Sequence, residues 1–154
     1  MEIDVEIEDA GWSEALPEAA SLVRRAALAA TAQATAGALA ILLTDDASVR
    51  TLNARFRERD TATNVLSFPA APNREGHIGD LALAFGVCDR EAKRQNKPLA
   101  DHLHHLVIHG VLHLLGYDHD GDEAAERMEA LERRLLSGLN VPDPYRARDH
   151  VEPA

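Results

Sequence analysis

The segment His109-Gly-Val-Leu-His113-Leu-Leu-Gly116-Tyr-Asp-His119 carries the residues best placed to do chemistry. His109 and His113 stand four residues apart in a stretch that reads as helix. Four residues turn a helix by about 400° and rise about 6 Å, so both imidazoles face one side, within reach of one first-row metal ion. Gly116 ends the helix and lets the chain turn back, which brings His119 toward the same ion. Three protein ligands with an open fourth position are the pattern of a catalytic rather than a structural zinc site. An ion held so lowers the pKa of water to about 7 and makes hydroxide available near neutral pH.

The spacing matches the long zincin motif H-E-x-x-H-x-x-G-x-x-H except at one position. The residue after the first histidine is Gly110, where a protease of that kind has the glutamate that serves as its general base. The platform is present without the base, which counts against peptide hydrolysis. His105, one turn before His109, could touch a ligand histidine or a substrate, or simply pack. His102 and His104 read as packing or solvated histidines on a His-rich helix. Cys88 is the single cysteine, so no disulfide and no thiolate cage is available, and it reads as a small buried apolar group. Imidazole ligands suit several transition ions. Zinc, one per chain, is the expectation, with another divalent transition metal as the alternative.

These residues need a scaffold. Ile3, Val5 and Ile7 alternate with acidic residues, as in a half-buried strand. Pro17 to about Ala36 is Ala-rich and reads as a helix closed by Gly37. Ala38 to Leu43 is a short apolar run, read as a buried strand. Asp45 or Asp46 caps a helix to about Arg57, with Val49, Leu52 and Phe56 inward. Asn64 to Phe68 reads as a strand stopped by Pro69. Ala71 to Gly76 is a turn-rich loop, and Ile78 to Phe85 a further strand. Val87 to about Asn96 is a helix, and Asp101 could cap the helix from about Leu99 to Leu115. Asp122 to about Leu136 is an acidic amphipathic helix with Met128, Leu131 and Leu135 inward. Residues from about 140 to 154 read as a tail. The expectation is one α+β (mixed α/β) domain spanning residues 1–154. It has a mainly four-stranded mixed sheet, about five helices, and the metal site at the end of a central helix.

A chain of 154 residues with 45% apolar and 27% charged residues supports one ordinary core. No apolar run is long enough to span a bilayer, and the acidic start, Met1-Glu2-Ile3-Asp4, lacks the basic opening of a secretory signal. A cytoplasmic location without a membrane partner is expected. The net charge of −10 argues against a nucleic-acid binder that uses its whole surface. A local basic patch remains possible, because screening confines such effects to about 10 Å. Arg50, Arg55, Arg57 and Arg59 lie close together.

The histidine segment resembles the signature of the YbeY-type endoribonucleases, the bacterial rRNA maturation factors. Leu52-Asn-Ala-Arg-Phe56-Arg57-Glu-Arg-Asp60, followed by Thr63-Asn-Val-Leu-Ser-Phe-Pro69, is similar to that family's second motif. Gly79-Asp80-Leu81 and Glu91-Ala-Lys…Lys97-Pro-Leu99 fit its middle region, and Asp143-Pro-Tyr145 its C-terminal end. The similarity runs from about residue 40 to 145. It implies a metal-dependent endoribonuclease selective for single-stranded RNA. Such an enzyme acts in maturation of the 16S rRNA 3′ end and in ribosome quality control, with the ribosome or its small subunit as partner and no DNA substrate. Carried over residue by residue, the metal ligands are His109, His113 and His119, and the functional arginine is Arg57. The family often has Lys-Pro-Thr where this chain has Thr61-Ala62-Thr63, which removes one phosphate contact.

A guanidinium at position 57 can grip phosphate with two prongs and stabilise charge in a phosphoryl transition state. It could equally be a solvated charge suited to a helix C-terminus. Asp80 or Asp118 could orient a ligand histidine, or merely cap a strand or helix. Tyr117 reads as core. Two other functions compete: a different metallohydrolase on the same histidines, and a non-enzymatic ribosome-assembly factor whose metal braces the fold.

Overall fold

The computed structural model describes residues 1–34 and 37–145. Four strands form one sheet, β1 (Glu2–Ile7), β2 (Ala38–Thr44), β3 (Val65–Pro69) and β4 (His77–Ala84), in the order β1-β2-β4-β3. β1, β2 and β4 run parallel, and β3 pairs antiparallel with β4 at the edge. Six helices surround it: α1 (Ala10–Ala15), α2 (Ala19–Ala30), α3 (Asp46–Arg57), α4 (Phe85–Arg94), α5 (Leu99–Leu114) and α6 (Asp122–Gly138).

The period-2 alternation of the strands decides which face is core. Leu39, Ile41 and Leu43 of β2 and Leu81 and Leu83 of β4 are buried on one face, under α2 and α5. Leu66, Ala82 and Ala84 point to the other face, where Val49 of α3 covers them. The larger face holds most of the core, and α5 is the helix laid across it toward β3 and β4.

The sequence expectation of a four-stranded mixed sheet with about five helices in one α+β domain holds, with six helices among the described residues. The Ala-rich stretch is shorter at both ends than its composition suggests, and a separate helix, α1, precedes it. α1 is fixed by Trp12, which is fully buried, donates its indole N–H to the Thr44 carbonyl at 3.0 Å and meets Phe85 edge-on at 5.2 Å. Asp45 is the N-cap of α3 and accepts from the Ser48 amide at 2.7 Å. Asp101 does not cap α5: Pro98 occupies that position, and Asp101 lies in the first turn, where a carboxylate suits the positive end of the helix. Phe56 is 60% exposed rather than inward, because α3 covers only part of its face of the sheet, and it packs edge-on against Phe68. Tyr117 is 41% exposed and not core. Cys88 is buried, as expected of a small apolar side chain, and burial pushes its thiol pKa up. Of the expected tail, residues 140–145 are described and 146–154 lie outside the described residues. No helix among the described residues is long and apolar enough to cross a membrane.

Candidate metal centre and its groove

α5 ends as the glycine predicted. Gly116 has φ +101°, its amide bonds the His113 carbonyl at 3.0 Å, and the Tyr117 amide bonds the Leu112 carbonyl at 3.0 Å. This pair of bonds is the Schellman arrangement, which satisfies the last carbonyls of the helix and reverses the chain. The reversal carries His119 back over the end of α5. The ring centroids of His109, His113 and His119 lie 4.7 to 4.8 Å apart, with the rings of His109 and His119 stacked. One nitrogen from each ring falls within 4.8 Å of the others, a grouping able to hold a metal ion.

The donor geometry fits a small ion. Nε2 of His109 and Nε2 of His113 face each other at 3.2 Å. Tetrahedral ligands about 2.0–2.1 Å from zinc stand about 3.3 Å apart. Burial, followed by the neighbouring His109 and His119, pushes the His113 pKa down, opposed by a backbone hydrogen bond at Tyr117 and by Glu132. A neutral imidazole is the form that ligates.

Neither Asp80 nor Asp118 bonds a candidate ligand histidine. Asp80 pairs with His77 at 3.3 Å, and Asp118 accepts from the Asp120 amide. The carboxylate that does so is Glu132, a residue the hydrophobic pattern of α6 hides. It is fully buried between Met128 and Leu136, which share its i, i+4 stripe. Its Oε2 accepts from Nδ1 of His109 at 2.9 Å and from Nε2 of His105 at 3.2 Å, and Tyr145 donates its hydroxyl to Oε1. Burial alone raises the pKa of Glu132, but the bonds from His105, His109 and Tyr145 outweigh it and hold the group well below the usual carboxylate range. An ionised carboxylate only accepts, so Nδ1 of His109 donates in that bond and Nε2 is the nitrogen turned toward His113. Glu132→Gln is therefore expected to weaken zinc affinity by about ten- to a hundredfold, the scale for loss of a carboxylate behind a ligand histidine. Competition against a chromogenic chelator measures it, and an unchanged affinity removes Glu132 from this role.

Gly110 is glycine for a packing reason. A Cβ there would meet Leu81 Cδ2 at 2.8 Å and Ser67 Oγ at 3.3 Å, and Leu81 is itself buried. Ser67 also donates its hydroxyl to the Gly110 carbonyl at 3.2 Å. A side chain after His109 would thus have to displace Leu81 from its place in the core. Gly110→Glu, designed to restore the protease base, should destabilise the protein by at least about 3 kcal/mol. That lowers Tm by roughly 10 °C in a chain of this size, read by thermal melting. A variant that melts like the parent contradicts the packing argument.

His109 and His113 open into a groove of about 870 Å³ that runs along α5. His109, His113, Ser67 and Arg57 line one end of it. Arg57 leaves the last turn of α3, donates through Nη2 to the Ser67 carbonyl on the edge strand, and sits 5.6 Å from the centroid of the Phe68 ring. The structure thus places Arg57 in the same groove as His109 and His113. The other arginines of that cluster behave differently. Arg50 is taken up by Asp60 at 2.7 Å and Arg55 lies over Phe56, away from the groove. His104 is a packing histidine, bonded to the Ala100 carbonyl at 2.7 Å. His102 also is buried, with Nε2 on Glu91 at 2.8 Å, but it lines the groove.

The model of the endoribonuclease YbeY family matches residues 3–140. The chain belongs to this family. An endoribonuclease YbeY of Azorhizobium caulinodans is 51% identical over 154 residues, covering 94% of this chain and 96% of that one. An endoribonuclease YbeY of Maricaulis maris is 50% identical over 150 residues, covering 96% of this chain and 93% of that one. Among solved structures, that of TM1509 from Thermotoga maritima superposes with a TM-score of 0.57, at 22% identity and with 99% of each chain covered, a likeness of fold.

Proposed function

We propose that this chain is a metal-dependent endoribonuclease that cuts single-stranded RNA and acts in 16S rRNA 3′-end maturation and ribosome quality control in the cytoplasm. Membership of the endoribonuclease YbeY family makes it a hydrolase of RNA phosphodiester bonds. The observation that supports the reading further is that two of the three imidazoles grouped to hold an ion, His109 and His113, line the same groove as Arg57.

His109, His113 and His119 are the proposed ligands, and zinc is the ion their chemistry favours. A divalent ion held there supplies Lewis acidity toward phosphate oxygen and toward water. The chain's own groups do the rest. Glu132 fixes the tautomer and direction of His109, and Tyr145 and His105 hold Glu132 in turn. Arg57 is steadied by the Ser67 carbonyl and the Phe68 ring, and its remaining N–H donors are free to meet a phosphate that enters between it and the histidines. Close packing at Gly110 keeps a protease-type base out of the site.

A panel of labelled single-stranded RNA, duplex RNA, single-stranded DNA and a peptide, each incubated with zinc-loaded protein, tests this function. Internal cleavage confined to single-stranded RNA is the expected result. Cleavage of the peptide, or of none of the four, contradicts it.

A further inference from the structure

The groove continues beyond the metal site, and its far end carries charge that the chemistry above does not use. His102 lies seven residues before His109 on α5, two turns or about 10.5 Å away and within about 20° of the same face. Its contact with Glu91 ties that part of the groove to α4. One turn beyond Glu91 the wall continues with Arg94, and then with Lys97 in the turn before α5. Both cations line the groove.

Their surroundings differ from those of the neighbouring cations on α4. Arg90 is paired with Asp46 at 3.1 Å and Lys93 with Asp89 at 2.9 Å. Among the described residues, Arg94 and Lys97 form no salt bridge. Basic residues in a last turn complement the helix dipole. That accounts for Lys93 and Arg94 alike, but only Arg94 is turned into the groove. Lys97 is half-buried, and burial pulls its pKa down against the opposing pull of Asp101. A partly desolvated ammonium at a groove wall gains from an anion brought to it.

We propose that Arg94 and Lys97 form a second phosphate-binding subsite, which holds the backbone of the RNA strand three or more nucleotides from the metal centre. His102 already stands about 10.5 Å along α5 from His109, the length of about three stacked nucleotides at ~3.4 Å each, and Lys97 precedes that helix. This rests on the ribonuclease reading above and extends it. A chain of net charge −10 grips its substrate through a short track of cations, Arg57 at the scissile end and Arg94 with Lys97 at the other. Phosphate contacts fix register without reading sequence, so the subsite sets substrate length rather than base preference.

The test measures binding of fluorescein-labelled single-stranded RNA of twelve and of four nucleotides by anisotropy, across a series of salt concentrations, with zinc-loaded protein. The proteins are the parent, Arg94→Gln/Lys97→Gln, and a control, Arg25→Gln/Arg134→Gln, which removes two exposed cations outside the groove. Arg94→Gln/Lys97→Gln should bind the twelve-nucleotide strand on the order of tenfold more weakly. The slope of log affinity against log salt should flatten by about 1.4, or ~0.7 for each phosphate no longer neutralised. The advantage of twelve nucleotides over four should largely vanish. The control should keep the parent's affinity, slope and length dependence. Parent-like binding by Arg94→Gln/Lys97→Gln, or equal loss in both double variants, overturns the subsite while RNA cleavage by the parent leaves the ribonuclease reading standing. A parent that neither binds nor cleaves RNA overturns both.

Discussion

Alanine at His109, His113 or His119 is expected to leave the purified protein with little bound metal and to abolish RNA cleavage in each case. Two imidazoles rarely retain zinc through dialysis, and one nitrogen from each of these three rings lies within 4.8 Å of the others. Elemental analysis after dialysis reads the first effect, and single-turnover cleavage the second. Near-stoichiometric metal in all three variants refutes the ligand set. The losses of stability should not be equal, because the three side chains sit differently. His119 is exposed, and its ring lies against those of His109 and His113. His109 also donates to Glu132, which is fully buried. Removing it strands part of a buried carboxylate's hydrogen bonding, at a cost of roughly 1–3 kcal/mol beyond the lost metal linkage. Denaturant titration of the metal-free proteins should therefore rank His109→Ala below His119→Ala. The reverse order contradicts the role given to Glu132.

Arg57 separates phosphate chemistry from metal binding. Arg57→Ala and Arg57→Lys should both keep the fold and the ion, since the side chain is exposed and touches no candidate ligand. Both should cleave single-stranded RNA on the order of a hundredfold more slowly, the scale for losing one donor to a transition state and worth about 2.7 kcal/mol. Lysine should not rescue. It keeps the charge but lacks the planar fork, which here spends one prong on the Ser67 carbonyl at the groove wall. The measurement is single-turnover cleavage with metal content determined in the same samples. Parental rates in Arg57→Ala with metal bound make Arg57 a surface residue. Parental rates in Arg57→Lys alone reduce its role to charge.

The parts legible in the sequence were those written in local pattern. The i, i+4 spacing of His109 and His113 and the terminating Gly116 describe one helix end, and the Schellman bonds at that glycine are what a local signal can specify. Strand alternation in β2 and β4 likewise separates the two faces of the sheet. What escaped was set by distant parts of the chain. α1 is too short for periodicity and exists because Trp12 finds the Thr44 carbonyl and Phe85. Glu132 looks like one more acidic residue of an acidic helix until α6 packs on α5. The signal that could have found it is its place on the Met128–Leu136 stripe, where a carboxylate is costly unless partnered. Nothing local sets Arg94 and Lys97 apart from the other cations near them, and only the meeting of α4 with α5 shows which of these basic residues line the groove.

Zinc titration of chelator-stripped protein, followed by single-turnover cleavage of a labelled single-stranded RNA, tests most directly whether these three histidines make a catalytic metal centre. The rate should be near zero without metal, rise in proportion to added zinc and level off at about one ion per chain, with no such rise in His113→Ala. Stripped protein that cuts RNA at the full rate, or a rate that ignores added metal, contradicts the account.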